Sequence, residues 1–218
     1  MFKRMPDVQP RLADDVYEQI LSAIVNGQIA PGDRLIQEKI AAEINISRTP
    51  VREALLRLER EGILELSGRK GFSIRQISED EVRDIYGVRE AIEGYGAYWV
   101  AANRTDERIA AIAEKVAEER ALPEHDMQAE FRINRDIHRT IVAQTGNKAL
   151  LDMFDSIWGR GISQWLFAAT RSNQKPPDPD VHEKLLEVIK TGSPAEAQAA
   201  MIDHVRDGLD MQIKGLQE

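Results

Sequence analysis

Apolar residues recur at Val16, Ile20 and Ile24, with Tyr17 and Leu21 beside them, so the spacing predicts a helix over about 12–25. Asn26-Gly27 is a favoured stop. "APGDRL" reads as a turn and "IQEKIAAEI" as a short second helix, which Asn45 breaks. A third helix then opens at Ser47, a natural N-cap, with Pro50 in the first turn, where a missing N–H costs little. Val51, Ala54, Leu55 and Leu58 form its buried stripe, while Arg48 and Arg52 stand one turn apart on another face. Two helices joined so tightly make a helix-turn-helix, the second being the recognition helix. After Gly62 the period falls to two. Leu64 and Leu66 point one way, and Phe72 and Ile74 follow a turn at Ser67–Lys70, a β-hairpin wing with a basic tip.

From Ser78 onward the pattern is helical. "SEDE" is a capping box opening a helix with Val82, Ile85, Val88 (or Arg89) and Ile92 inward. Thr105 caps a second helix to about 121, "PEH" opens a third that runs to Gln144, and "TGNKALLDMF" starts a fourth. Residues 171–180 are a Pro- and Asp-rich loop. "VHEKLLEVIK" closes at Thr191-Gly192, and "SPAEAQ" is a further capping box with Pro194 at the first helical position. No strand pattern and no internal repeat occur here. The predicted fold is mainly α: a winged helix-turn-helix over 1–76 and an all-α bundle of six or seven helices over 77–218.

Charge sharpens this division. The chain of 218 residues carries a net charge of −8. Residues 1–75 hold 12 Lys+Arg and 11 Asp+Glu, and 17 and 26 remain for the rest, so the acidic surplus belongs to the bundle. A near-neutral first segment binds DNA if its cations gather on one face. Arg48 and Arg52 suit guanine edges or phosphates, since a guanidinium donates two parallel hydrogen bonds. Ser47 and Thr49 share their exposed helix start, and Arg69 and Lys70 at the wing tip reach toward phosphate or the minor groove. A solvated basic face is the plainer alternative, but capped basic helix, tight turn and wing coincide within about sixty residues, as the motif criteria require. Cys is absent, which removes disulfides and thiolate chemistry. No apolar run would cross a bilayer and "MFKRMPDVQP" lacks a signal-peptide core, so a cytoplasmic location is expected.

Three of the four histidines fall on apolar stripes. Asn134, Ile137, His138 and Ile141 share one face, as do His182, Leu185, Leu186 and Ile189, and Ala197, Met201, His204 and Val205. His125 lies in a polar helix start and is expected to be exposed. A lone inward histidine is usually a satisfied core residue. Imidazoles converging from three helices are also an ordinary way to hold a divalent metal, and the pattern alone leaves both readings open.

"PGDRL…EKIAAEINISRTPVREALLRLEREGIL…GRKGFSI" resembles the winged-helix signature of the GntR family of bacterial transcription regulators over residues 12–75, with "SRTPVREAL" its most specific run. The resemblance implies DNA contact by Arg34, Arg48, Thr49 and Arg52, with Gly71 at the wing. Gln37 stands where other members often have Glu.

"NRDIHRTIVAQTGNKAL", "DVHEKLLEVIKTGSPAEAQAAM" and "DHVRDGL" are similar to the helical effector domain of the FadR subgroup, called FCD, over about 78–214. That resemblance implies a metal set of Asn134, His138, His182 and His204, holding zinc, or else nickel or manganese. Asn134 stands where other members often have Asp, which takes one negative charge from the set. Asp136 faces another side of the helix and does not replace it. The family also implies a small organic-acid effector on the open metal positions, with Arg89 as the candidate cation for its other end. Trp165 and Phe167 are candidate walls, with plain core packing the alternative for both.

The expected partners are thus double-stranded operator DNA, a small carboxylate effector and a second copy of the chain, with no membrane. Two other functions compete. One is a DNA-binding regulator with a purely structural metal and no effector. The other is a metal-dependent hydrolase, disfavoured because "HEKLL" lacks the second His of the zincin motif and no carboxylate is placed as general base.

Overall fold

The computed structural model describes residues 10–30, 32–68, 71–122, 126–159, 161–171, 178 and 180–217. The chain divides into two compact units, Met1–Gln76 and Ile77–Glu218.

In the first unit, α1 (Pro10–Val25), α2 (Gln37–Glu43) and α3 (Arg48–Arg60) stand with a small sheet of β1 (Leu35–Ile36), β2 (Leu64–Ser67) and β3 (Gly71–Ile74). Val16, Tyr17, Ile20, Leu21 and Ile24 of α1 are all buried, as are Val51, Ala54, Leu55 and Leu58 of α3. The two stripes predicted from spacing therefore form the core of this unit. Asn45 turns the chain between α2 and α3 with φ of 54°, a left-handed conformation that Asn tolerates better than most residues.

Three local details differ from the sequence reading. Leu35–Ile36, read as the end of a turn and the start of a helix, forms a strand antiparallel to β3, giving the sheet order β1-β3-β2. Ser47 occupies the N-cap position with extended backbone, but its hydroxyl accepts no capping hydrogen bond. Leu66 pairs with Phe72 across the hairpin yet is 67% exposed, while Leu64 opposite Ile74 is buried. The two leucines share a face, but that face outruns the core at the wing's far end.

The second unit is helical throughout its described residues: α4 (Glu79–Ala102), α5 (Asp106–Arg120), α6 (Met127–Ala143), α7 (Lys148–Trp158), α8 (Gly161–Arg171), α9 (Val181–Thr191) and α10 (Pro194–Gln217). The Ser78–Glu81 capping box forms, and Thr105 and Asn147 accept from backbone N–H groups at the starts of α5 and α7. Ser193 and Glu196 exchange bonds at the start of α10. Helix α6 runs from Met127 with Asp126 at its N-cap, where the carboxylate accepts from Ala129 N–H. Residues 123–125, His125 included, lie outside the described residues, as does most of the 171–180 loop.

The long helices α4 and α10 pack side by side. Gly94 lets them approach: a Cβ there would sit 3.0 Å from Ile202 Cγ1. Of the alternatives Val88 and Arg89, it is Arg89 that turns inward, while Val88 is 42% exposed. Ile92, Phe131, Val142, Phe154 and Trp158 form an apolar cluster joining α4, α6 and α7. No helix among the described residues is long and apolar enough to cross a membrane.

Candidate functional site

Helix α3 carries four arginines, and the fold sorts them. Arg57 lies 3.8 Å over the Tyr17 ring, donates to Glu61 at 3.0 Å and reaches Asp14 at 3.1 Å, which ties α3 to α1. Arg60 turns back to the Leu56 carbonyl. Arg48 and Arg52, one turn apart at the helix start, face solvent together with Ser47 and Thr49. Arg48 approaches Glu38 at 3.7 Å with its side chain 70% exposed, a surface contact that a phosphate displaces at little cost. Because Ser47's hydroxyl makes no cap bond, it too is available at this face.

Arg34 is exposed beside the wing, where its Nη2 would lie 3.1 Å from a Cβ at Gly68. Gly68 itself has φ of 68°. Gly71 is buried at the start of β3, where a Cβ would press to 3.2 Å from the Ser67 carbonyl oxygen. Arg69 and Lys70 lie outside the described residues. Exposed cations at the start of a recognition helix, with a hairpin beside it, are suited to one groove of a duplex and its flanking phosphates.

In the helical unit α6, α9 and α10 bring His138, His182 and His204 together. One ligand atom from each lies within 4.8 Å of the others, so this group could hold a metal ion. The ring centroids are 5.0 Å apart for His138–His204, 4.9 Å for His182–His204 and 5.5 Å for His138–His182. His138 Nε2 and His204 Nε2 stand 3.1 Å apart. His182 Nε2 is buried without a hydrogen-bond partner. An orphaned imidazole nitrogen beside two others is the donor set that zinc, nickel or copper accepts, so the residues fit such an ion. Asn134 lies half-buried on α6, one turn before His138.

Burial lowers the pKa of His138, outweighing the pull of Glu93 in the other direction. His204 is held well below the ordinary value by burial and then by its two histidine neighbours. Both rings are therefore neutral near pH 7, the form that binds metal.

Sequence reasoning missed what stands behind these rings. Glu93 on α4 is 1% exposed. It accepts from Arg89 Nε at 2.9 Å and from Trp158 Nε1 at 2.9 Å, and its Oε2 lies 2.6 Å from His138 Nδ1, off the axis of a ring N–H. Burial raises the Glu93 pKa, but Arg89 and then His138 outweigh it and hold the carboxyl well below the usual carboxylate range. Glu119 on α5 meets His182 Nδ1 at 2.9 and 2.8 Å. Arg89, the candidate effector contact, is 9% exposed, engaged by Glu93, and sandwiched 4.2 Å from Trp158 and 4.6 Å from Tyr86. Trp158 stacks on His138 at 5.7 Å. Of the proposed walls, Phe167 packs edge-on against Phe131 at 5.5 Å, and Trp165 is half-buried. A signal for Glu93 did exist. It follows Arg89 by four positions on the inward stripe of Val82, Tyr86 and Arg89, where an acid needs a partner.

A winged helix-turn-helix followed by a helical bundle with three clustered histidines defines a DNA-binding regulator of bacterial type. Comparison with known proteins gives the family. Residues 12–74 match the model described as bacterial regulatory proteins, gntR family, and residues 84–207 match the FCD domain. The chain belongs to the GntR family, with an FCD domain as its second unit. It is 31% identical over 144 residues to the HTH-type transcriptional regulator YdhC of Bacillus subtilis (strain 168), covering 65% of this chain and 64% of that protein. It is 26% identical over 187 residues to the Nta operon transcriptional regulator of Aminobacter aminovorans, covering 85% and 87%. Among solved structures, Escherichia coli McbR/YncC superposes with a TM-score of 0.71 at 20% identity, covering 94% of this chain and 99% of that one. These relatives are transcriptional regulators rather than enzymes, and the chain is a DNA-binding transcriptional regulator of the GntR/FCD type.

Proposed function

We propose that this regulator binds its operator as a homodimer and that a small carboxylate metabolite, bound at a metal in the helical unit, controls the affinity. The observation that carries the reading is the convergence of three inward imidazoles in a chain whose other unit presents Arg48 and Arg52 to solvent. Zinc is the proposed ion, held by His138, His182 and His204 with Asn134 as a weaker fourth ligand, and its open positions take the metabolite's carboxylate. Arg89 is the proposed cation for the ligand's other end, where a second carboxylate competes with Glu93 for the guanidinium. On the DNA side Arg48 and Arg52 read bases or phosphates, with Arg34, Ser47, Thr49 and the wing residues Arg69, Lys70 and Gly71 supporting them. Two recognition helices in a dimer match a two-fold operator.

The burial of His138 and His182 also favours a second reading, a metal that only knits helices together and senses nothing. One set of titrations on the protein's own promoter region separates the two. Arg48→Ala and Arg52→Ala are expected to lose about 1–3 kcal/mol of DNA affinity while the fold stands. Organic acids are screened against zinc-loaded protein by thermal shift. One that binds is expected to change DNA affinity, typically by about 5–150-fold, and DNA must change its affinity by the same factor. In His182→Ala that response disappears while DNA binding persists. Wild-type DNA affinity in both arginine variants overturns the interface, and a bound acid that leaves DNA affinity unchanged leaves the structural-metal reading.

A further inference from the structure

The three histidines differ in what stands behind them. A carboxylate accepts hydrogen bonds and does not donate, so the His182 nitrogen facing both oxygens of Glu119 must carry the ring proton. In the neutral ring that is the Nδ1–H tautomer, which leaves the lone pair on Nε2. That atom is buried and has no hydrogen-bond partner. Glu93 places an oxygen 2.6 Å from His138 Nδ1, off the axis of a ring N–H but too close for two lone pairs to face each other, which favours the same tautomer for His138 with its Nε2 bare.

His204 is different. Its Nδ1 is buried with no hydrogen-bond partner, and its Nε2 lies 3.1 Å from His138 Nε2. Two bare lone pairs at that distance repel, so His204 Nε2 carries a proton and donates it to His138. Two rings are thus preset for an ion, and the third makes a placeholder hydrogen bond inside the site.

We propose that Glu119 and Glu93 are the positioning residues of the metal site, fixing Nε2 of His182 and His138 as donors, and that His204 is the adjustable ligand. For His204 to offer Nε2 to an ion, its ring proton would have to sit on Nδ1 and the hydrogen bond to His138 would be given up. This rests on the metal-site reading above. It extends that reading to residues on α5 and α4 that touch no ion themselves. Carboxylates behind ligating histidines typically govern about 10–100-fold in metal affinity.

Glu119 is the cleaner place to test this, since its side chain is 25% exposed while Glu93 also neutralises buried Arg89. Zinc affinity of the full chain is measured by competition with a chromophoric chelator. Wild type is expected to bind one zinc per chain and Glu119→Ala to bind it about 10–100-fold more weakly. Glu119→Gln, whose carbonyl oxygen still accepts from Nδ1–H, should recover most of the loss. In metal-free protein labelled with ¹⁵N-histidine, His138 and His182 should show the Nδ1–H pattern and His204 the Nε2–H pattern. Added zinc should convert His204 alone. If Glu119→Ala binds zinc as tightly as wild type, or His204 is already Nδ1–H without metal, the positioning proposal is overturned while the site stands. If wild type binds no zinc, the metal-site reading itself falls.

Discussion

Removing the Glu93 carboxylate should destabilise the helical unit severely, and the reason lies in the residue left behind. In the native unit Glu93 accepts from Arg89 Nε at 2.9 Å and Nη2 at 3.4 Å, and from Trp158 Nε1 at 2.9 Å. The Arg89 side chain is 11% exposed and that of Glu93 1%, so water does not replace the lost acceptor. Deleting one partner of such a pair strands the other charge in the core, a loss of about 3–5 kcal/mol. Against a total stability of roughly 5–15 kcal/mol, Glu93→Ala approaches the limit of folding. Replacing both charges, as Arg89→Met with Glu93→Leu, removes the stranded cation and should recover part of that loss. The Trp158 N–H and the His138 Nδ1 side then lack the carboxylate, at about 1–3 kcal/mol each. Trp99, Trp158 and Trp165 are the chain's three tryptophans and all lie in this unit, so urea unfolding followed by tryptophan fluorescence reads it selectively. Chelator in the buffer keeps metal linkage out of the measurement. A double-mutant cycle with a coupling energy near zero, or Glu93→Ala within about 1 kcal/mol of wild type, would refute the reasoning.

Asn45 offers a backbone test in the other unit: with φ at 54°, Asn45→Val should cost about 1–2 kcal/mol and Asn45→Gly little, and a Val variant that melts with wild type by circular dichroism would contradict it. Metal-free stability should also depend on pH. His138 and His204 have folded pKa values depressed by burial, so below about pH 6.5 the unfolded chain binds more protons than the native one and stability falls as pH falls. The window runs from about 6.5 down to the depressed folded values. Urea midpoints at pH 7.5 and 5.5 should differ in that direction, and less so in His138→Gln; equal midpoints would count against it.

The DNA-reading unit was legible because its signals are local. Stripe, breaker and basic helix start all fall within single turns of one another, and the buried residues of α1 and α3 are those the spacing picks out. What escaped was set by contacts beyond that range. Leu35–Ile36 becomes a strand only because β3, some thirty-five residues later, offers it an edge, and two residues carry no period of their own. Leu66 obeys the alternation of its strand but stands past the end of the core. In the helical unit the boundary between Val88 and Arg89 was ambiguous from spacing. It is decided by Glu93, whose ion pair makes burying Arg89 tolerable.

The metal candidate was half legible for the same reason. Each histidine sits on a readable stripe, but Glu119 meets His182 across 63 positions and Trp158 meets Glu93 across 65, which no single helix reveals. Those hidden partners bear on whether the histidines are core or site. Histidines kept for packing alone would have both ring nitrogens satisfied, since each buried nitrogen left unpaired costs about 1–3 kcal/mol. Here His182 has one nitrogen held by a carboxylate and the other aimed, unpaired, at two further rings, and His204 Nδ1 is unpaired as well. A core with unpaired ring nitrogens where α6, α9 and α10 bring three histidines together is suited to an electrophile that takes nitrogen lone pairs, and a metal ion is the first candidate of that kind.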